Sequence, residues 1–366
     1  MLLTIVAMFL TDIIGIMQEP LLMKLENSVY LQDNKLVIVD RRVLPTTITK
    51  IVCNDSDEVA QAIKDMVVQG SGDIAITAGF GLYLSACACK DKPRWQQMAE
   101  MEFATKKLIS TRPTGYHLTA LLNKIITLLK KQDDSKSCSY SHELVANSDI
   151  PYHQIIFNYL QEVLKKQNEL SQKTGKNAES LLNDGDTILT HCFAGAGLLY
   201  MLRYATQNKK KICVFCSETR PYLQGARLTA WSVSEMGIDT TLISDNMSAH
   251  CMAIGKINKI FTAADRVAMD GTVANKVGTL QIAILAHHFN IPFYVLAYGG
   301  ADKKTISGEQ IPIEERNPRE VLCFNGNKIT GEKVKAFYPA FDITHKNFIS
   351  AYITAKGILY QQDFNL

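Results

Sequence analysis

Apolar residues recur with two different rhythms along the chain, and the change between them divides it. In the first part, Ser28–Leu31 and Leu36–Val39 are short apolar runs flanking polar Gln32–Lys35, which predicts a strand pair joined by a turn. Val59, Ala62, Ile63, Met66 and Val67 then repeat at the spacing of one helix face. Asp57–Val68 is therefore predicted helical, with Gly70 as its stop. Asp73–Ala86 and His117–Lys130 also read as helices. Ser135–Ser148 is polar and aperiodic, the expected loop between domains. Tyr152–Leu182, rich in Lys and Gln, reads as one or two helices.

From there the rhythm shortens. Thr187–Thr190, Ile212–Cys216, Thr240–Ile243, Lys259–Thr262 and Pro292–Ala297 are strand-length apolar runs. Ala196–Thr206, Ala226–Met236, Ser248–Gly255 and Val277–Phe289 are helical stretches between them. Parallel strands need long crossovers, and this alternation supplies them, so a doubly wound, Rossmann-like α/β domain with a parallel sheet is expected. The expected organisation is an N-terminal extension over residues 1–22, a smaller mixed α+β domain over 23–150, and the Rossmann-like domain over 151–366 with its leading linker helix.

Composition narrows the function classes. A chain of 366 residues suits about two domains, and 47% hydrophobic with 20% charged residues provides for a sizeable core. A formal charge of +3 is too small for a nucleic-acid footprint, and the densest basic run, Lys209 to Lys211, reads as a solvated turn before a strand. Nine cysteines at irregular spacings fit free thiols in a reducing compartment, hence a cytoplasmic protein, and not a disulfide framework. Cys213 and Cys216 form a lone CxxC within an apolar run, so a strand is expected there and no zinc site. Met1–Leu10 is apolar but lacks a basic leader and a cleavage site. Asp12 interrupts it short of the ~20 residues a membrane helix needs, so an extension is expected there and no anchor. Met17 and Met23 are alternative starts.

Open α/β sheets bind ligands outside the carboxyl ends of their strands. After Thr187–Thr190 come His191 and Cys192, then the small-residue loop Ala194-Gly195-Ala196-Gly197. The next strand leads into Glu218 through Arg227, which carries Arg220, Gln224 and Arg227. Thr240–Ile243 leads into Asp245 and Asn246, and Lys259–Thr262 into Asp265, Asn275 and Lys276. Four strand ends thus bring a thiol, an Arg/Gln pair, an Asp-Asn pair and an Asp with Asn-Lys toward one crevice, which points to an enzyme. Each residue alone also has a plain structural use: Cys192 as a buried strand-end thiol, Asp265 as a helix cap, Asn275-Lys276 as a cap with a solvated lysine. At a helix start, backbone N–H groups and the dipole are expected to lower the Cys192 pKa. His191 should point away from Cys192, which argues against a dyad of adjacent residues. His287 and His288 lack i, i+4 partners, so no metal site is expected there.

The N-terminal half adds Gly70-Ser71-Gly72 and Thr111-Arg112-Pro113-Thr114. The first resembles a dinucleotide fingerprint but follows a helix, so that context fails, while its N–H groups still suit a phosphate. Arg112 before a proline is held extended, a pose suited to a bidentate phosphate contact.

Together these segments resemble the methylthioribose-1-phosphate isomerase family, whose fold is shared with ribose-1,5-bisphosphate isomerase and with regulatory subunits of a translation-initiation exchange factor. The resemblance runs from about Val29 to Leu359 and is densest from Glu218 to Trp231. It also takes in Ile188–Cys192, Ser244–Met247, Ala264–Val267, Ala274–Thr279, Ile311–Arg316, Tyr338–Asp342 and Thr354–Ile358. It implies that Cys192 and Asp265 are catalytic and that Arg112, Gln224, Asn275 and Lys276 bind substrate, with Gly70 and Ser71 in the phosphate loop. It also implies a homodimer that needs no metal and no cofactor. Two departures stand out. The family's Arg-Gly-Ala-Pro-Ala loop is here Gln69-Gly70-Ser71-Gly72-Asp73, losing an arginine and gaining an acid, which is expected to weaken phosphate affinity. Its Cys-Asn-Ala-Gly loop is here Cys192-Phe193-Ala194-Gly195. The implied reaction turns 5-methylthioribose 1-phosphate, or a close 5-deoxy pentose 1-phosphate, into the ribulose 1-phosphate. Asp265 would protonate the ring oxygen or shuttle a hydroxyl proton, and Cys192 would act at the C1/C2 edge as a base or as an electrostatic partner in a hydride shift. The alternatives are ribose-1,5-bisphosphate isomerisation and a non-catalytic regulatory role.

Overall fold

A computed structural model describes residues 18–112, 115–137 and 150–364. The chain falls into two compact units, Lys24–Asn168 on one side and the segments around Met23 and Glu169–Leu366 on the other. The apolar run Met1–Leu10 and most of the expected interdomain loop lie outside the described residues.

In the unit Lys24–Asn168, β1 (Val29–Gln32) and β2 (Lys35–Val39) form an antiparallel hairpin. Asp33 and Asn34 turn it with φ of 51° and 59°, a conformation these short polar side chains tolerate. A third strand, β3 (Lys50–Cys53), pairs with β2. It was not among the predicted strands, and only Cys53 of its apolar run Ile51-Val52-Cys53 is buried. Helix α1 (Ser56–Lys64) starts on Asp55, whose carboxylate accepts from the N–H groups of Asp57 and Glu58. It ends before the predicted Val68 because Met66 takes φ 60° and turns the chain.

Helix α2 (Ser71–Ala88) is buried along most of its length and packs against α1, α3 (Arg94–Ser110, missed in the sequence) and α4 (Tyr116–Ser137). Because α4 continues to Ser137, the expected loop begins later than Ser135. A single helix, α5 (Tyr152–Glu179), follows, and the division at Asn168 falls within it.

Arg41 ties this unit together. It is 1% exposed, and its guanidinium donates to the Gln69 carbonyl, to Ser28 Oγ at 3.2 Å and to the Asp73 carboxylate at 2.8 Å. One buried cation thus joins the entry to the hairpin, the segment after β2 and the first turn of α2.

The other unit is built on a seven-stranded sheet of order β15-β14-β10-β7-β4-β5-β6. In chain order its first members are β4 (Thr187–Thr190), β5 (Cys213–Ser217), β6 (Asp239–Ile243) and β7 (Lys259–Ala263). Strands β8 (Arg266–Val267) and β9 (Val273–Lys276) come next, outside this sheet, and β10 (Phe293–Tyr298) returns to it. A small hairpin of β11 (Cys323–Phe324) and β12 (Asn327–Lys328) precedes β13 (Phe341–Thr344), β14 (Ala351–Thr354) and β15 (Gly357–Leu359). All neighbours in the large sheet are parallel except β14 and β15.

Successive strand residues face opposite cores. Ile188, Phe261 and Leu296 join one apolar cluster, and their neighbours Leu189, Ile260 and Val295 join the other. A sheet covered on both faces gives strands that read as unbroken apolar runs, and for that reason β4, β5, β7 and β10 were visible in the sequence. The crossovers α6 (Ala196–Gln207), α7 (Trp231–Glu235), α8 (Ser248–Ala253) and α9 (Thr279–His288) fall within the predicted helical stretches. Ala226–Met236 differs in kind, since Gly225–Ala230 is a π-helical turn ahead of α7. A second sheet of order β13-β9-β8 was not foreseen. Among the described residues no helix is long and apolar enough to cross a membrane.

Removing one partner of a buried ion pair strands the other, at a cost of about 3–5 kcal/mol. Arg41→Ala is expected to lose stability on that scale, measured as the shift of the urea midpoint by circular dichroism. A loss below about 1 kcal/mol, the size of a surface pair, would remove Arg41 from this structural role.

Candidate active site

The sheet reverses direction at β4. The chain first adds β5 and β6 on one side, then crosses back to lay β7 and β10 on the other. Crevices in doubly wound sheets open at such a reversal. Cys192 follows β4 by two residues and Asp265 follows β7 by two residues, and the strands pair in parallel with Thr190 opposite Phe261. Adjacent strands lie about 4.8 Å apart, so the thiol and the carboxylate leave the same sheet edge as neighbours.

The backbone at Cys192 is held in the left-handed region, φ 61°. Its N–H donates to Thr219 Oγ1 at 2.9 Å, and its carbonyl accepts from Thr229 Oγ1 at 2.6 Å. Thr219 is fixed in turn by Asp245, whose two oxygens accept from the N–H groups of Thr219 and Arg220 at 2.8 Å each. Asp245 therefore clamps the loop after β5. Gly225 fits only as glycine, because a Cβ there would lie 1.8 Å from the Ser217 carbonyl. That close approach sets Gln224 at the head of the π turn. Gln224 is 5% exposed, and its Oε1 has no hydrogen-bond partner among the described residues.

His191 turns to a different set of partners. Its Nε2 lies 2.9 Å from the Val277 carbonyl and its Nδ1 2.6 Å from Ser217 Oγ. A carbonyl only accepts, so Nε2 carries the proton and Nδ1 accepts from the serine. Burial lowers the imidazole pKa, which keeps this structural histidine neutral.

The expectation of a lowered Cys192 pKa fails. Burial pushes the thiol up to about 11; Lys276 and the Phe193 N–H pull it down, and Asp265 and Asp245 push it up again. Desolvation outweighs the helix start, and the small-residue loop there is already occupied by protein. The Gly197 N–H donates to the Tyr298 hydroxyl at 3.0 Å, and that hydroxyl donates to the Ala194 carbonyl at 3.0 Å.

Lys276 and Asn275 reach this region through the small second sheet. β13 pairs antiparallel with β9, placing Phe341 opposite Lys276 and Asp342 opposite Asn275. The Lys276 ammonium lies 4.9 Å from the Phe341 ring centroid and 6.0 Å from that of Tyr338. Asn275 Nδ2 donates to Thr279 Oγ1 at 2.9 Å. Asp342 caps α9, accepting from the N–H groups of Gly278 at 2.7 Å and Leu280 at 3.1 Å; burial raises its carboxyl to about 6 against those bonds and Lys276. The Asp265 N–H donates to the Ala274 carbonyl at 3.0 Å, anchoring the carboxylate's own loop to the same strand.

Cys192, Gln224, Asp265, Asn275 and Lys276 thus belong to one unit and one sheet edge. Gly70, Ser71 and Arg112 belong to the other unit. There Gly70 takes φ 101°, outside ordinary side-chain range, and Ser71 opens α2. Arg112 Nη1 lies 3.0 Å from Met66 Sδ, so it adjoins the segment leading into Gly70. Pro113 and Thr114 lie outside the described residues. Asp73, the acid at this loop, is paired with the buried Arg41 guanidinium at 2.8 Å. Arg41, Asp342 and Tyr338 had no signal in spacing or periodicity, because each acts through strand pairing or a loop contact distant in sequence.

Comparison with known proteins agrees with this architecture. The profile of the initiation factor 2 subunit family matches residues 67–361. A methylthioribose-1-phosphate isomerase of Thermosipho africanus is 42% identical over 339 residues, covering 89% of this chain and 93% of its own. The crystal structure of 5-methylthioribose 1-phosphate isomerase from Pyrococcus horikoshii superposes with a TM-score of 0.78 at 33% identity, covering 92% of this chain and 94% of its own. That of translation initiation factor eIF-2B subunit delta from A. fulgidus gives 0.75 at 31%, covering 91% and 95%. With its thiol, carboxylate and lysine gathered at the sheet reversal, the chain belongs to the initiation factor 2 subunit family, in its methylthioribose-1-phosphate isomerase branch.

Proposed function

We propose that this chain is an aldose–ketose isomerase that converts 5-methylthioribose 1-phosphate, or a close 5-deoxy pentose 1-phosphate, to the ribulose 1-phosphate in methionine salvage. The observation that carries this is the exit of Cys192 and Asp265 from adjacent parallel strands at the sheet reversal, with Lys276 acting on the thiol. A non-catalytic subunit needs no such pair.

The chemistry requires one proton donor and one acceptor. Phosphate on C1 locks the ring, so opening it breaks the C1–O4 bond and places a proton on O4. That leaves C1 as an oxocarbenium centre; the C2 hydrogen shifts to it as hydride with its electron pair, and the C2 hydroxyl gives up its proton to become the ketone. A thiol raised to about 11 holds its proton at neutral pH. Cys192 is therefore assigned as the donor to O4, which leaves Asp265 to take the C2 hydroxyl proton. For Asp265 this is one of the two roles expected from the sequence; Cys192, expected as a base or an electrostatic partner, becomes the acid because it is buried. Lys276 stabilises the thiolate that forms, and the proton returns from Asp265 to Cys192 at the end of the cycle. Gln224 and Asn275 are assigned to sugar hydroxyls. Gly70, Ser71 and Arg112 are assigned to substrate binding from the resemblance. This proton inventory needs no metal and no cofactor, and we infer a cytoplasmic homodimer.

The test is ketose formation by NMR with methylthioribose, 5-deoxyribose and ribose 1-phosphates and with ribose 1,5-bisphosphate. Turnover is expected with the first two and unchanged after dialysis against EDTA. Inertness toward all four would favour the regulatory role, and preference for the bisphosphate would favour the other isomerase. Cys192→Ser and Asp265→Asn are each expected to lower kcat at least about 100-fold, within the usual range for a positioned acid or base; a variant keeping most of its turnover would strip that residue of its role. Peptide-mapped alkylation of Cys192 should be slow at pH 7–8 and accelerate as pH rises toward about 11, since only the thiolate reacts. Rapid labelling at pH 7 would contradict a neutral resting thiol.

A further inference from the structure

One buried hydroxyl beside the thiol has no role in the scheme above. Tyr338 is 3% exposed, and its Oη has no hydrogen-bond partner among the described residues. Buried hydroxyls are almost always bonded, because leaving one unpaired is costly.

The residue is held firmly by its backbone. The Tyr338 carbonyl accepts from the Arg316 N–H at 2.9 Å. Two residues on, Ala340 bonds the Glu314 carbonyl through its N–H at 2.8 Å and the Val277 N–H through its carbonyl at 3.1 Å. Its ring stands over the Lys276 ammonium at 6.0 Å. The phenol lies within electrostatic reach of Cys192 and of Arg316, Tyr222 and Glu320.

The Arg316, Tyr222 and Glu320 group is closed on itself. Tyr222 Oη donates to Glu320 at 2.9 Å and accepts from Arg316 at 2.7 Å, and Arg316 also pairs with Glu320 and Glu314 at 3.0 Å each. Its one bond to Tyr338 is the Arg316 N–H to the backbone carbonyl, and none goes to the Tyr338 hydroxyl among the described residues.

We propose that Tyr338 is a substrate-contacting residue whose hydroxyl donates a hydrogen bond to an oxygen on the C1–C2 edge of the bound sugar 1-phosphate, alongside Cys192. This rests on the isomerase assignment, since Cys192 must come within about 3–3.5 Å of that same edge. A phenol whose pKa burial raises stays protonated, so it can donate to an oxygen while Lys276 carries the positive charge.

Tyr338→Phe removes one oxygen and leaves the ring over Lys276. If the hydroxyl waits for substrate, its loss does not weaken the free protein, so Tm without substrate is expected to be equal to wild type or higher. Activity should fall, with kcat/KM about 10- to 100-fold lower, the size of one lost bond to a polar or charged group. A fall in kcat or a rise in KM both support the contact. A kcat/KM within twofold of wild type overturns it. So does a variant that melts earlier or fails to fold, because the hydroxyl would then be structural. Wild type inert toward every sugar 1-phosphate would overturn the isomerase assignment itself and this inference with it; an active wild type with an unaffected variant would overturn only the role of Tyr338.

Discussion

The pairing of β4 with β7 is the contact on which the candidate site depends. Parallel strands cannot be neighbours at a reversal unless the chain crosses back over the sheet, and here it does so after β6. The crossover brings together two segments separated by about 70 residues, each ending in a reactive side chain. Their separation is then set by the spacing of hydrogen-bonded strands, which does not depend on side-chain identity. The sheet is covered on both faces by apolar clusters, which fixes the strands that carry these groups.

Holding these groups in place takes a supporting layer that makes no chemistry of its own. Thr219, Thr229 and Asp245 fix the strained backbone of Cys192 from the side of β5. On the side of β7, the antiparallel pairing of β9 with β13 sets Lys276 among aromatic rings, and Asp342 fastens the following helix. The two supports are independent in sequence, and each ends beside the thiol. Burial there has a chemical consequence, since desolvation outweighs the nearby lysine and raises the Cys192 thiol to about 11. Burial also makes the Gln224 and Tyr338 oxygens that lack a partner among the described residues costly to the free protein.

The N-terminal unit shows a related economy around Arg41. The acid at Asp73, which stood out in the sequence as a charge beside the glycine loop, has the buried Arg41 guanidinium as its counter-ion, delivered from the segment after β2.

The sequence by itself determined the α/β class, the succession along the chain of β4, β5, β6, β7 and β10 with the helical stretches between them, and Cys192, Gln224, Asp265, Asn275 and Lys276 as residues that follow those strands. Those features follow from local signals: doubly buried strands make continuous apolar runs, crossover helices show their own period, and polar residues after strands stand out. Strand β3, helix α3, strands β14 and β15, the β13-β9-β8 sheet and the π turn were not predicted. The sheet pairings and the π turn depend on partners far apart in sequence, whereas α3 does carry helical spacing at Met101, Ala104 and Leu108, a signal that was passed over. Only the tertiary structure decided which strands are adjacent, which acid meets which base, and how deeply the thiol is buried. The protonation state of Cys192 reversed for that last reason, since a pKa reports the whole surroundings of a group and a sequence shows only its neighbours along the chain.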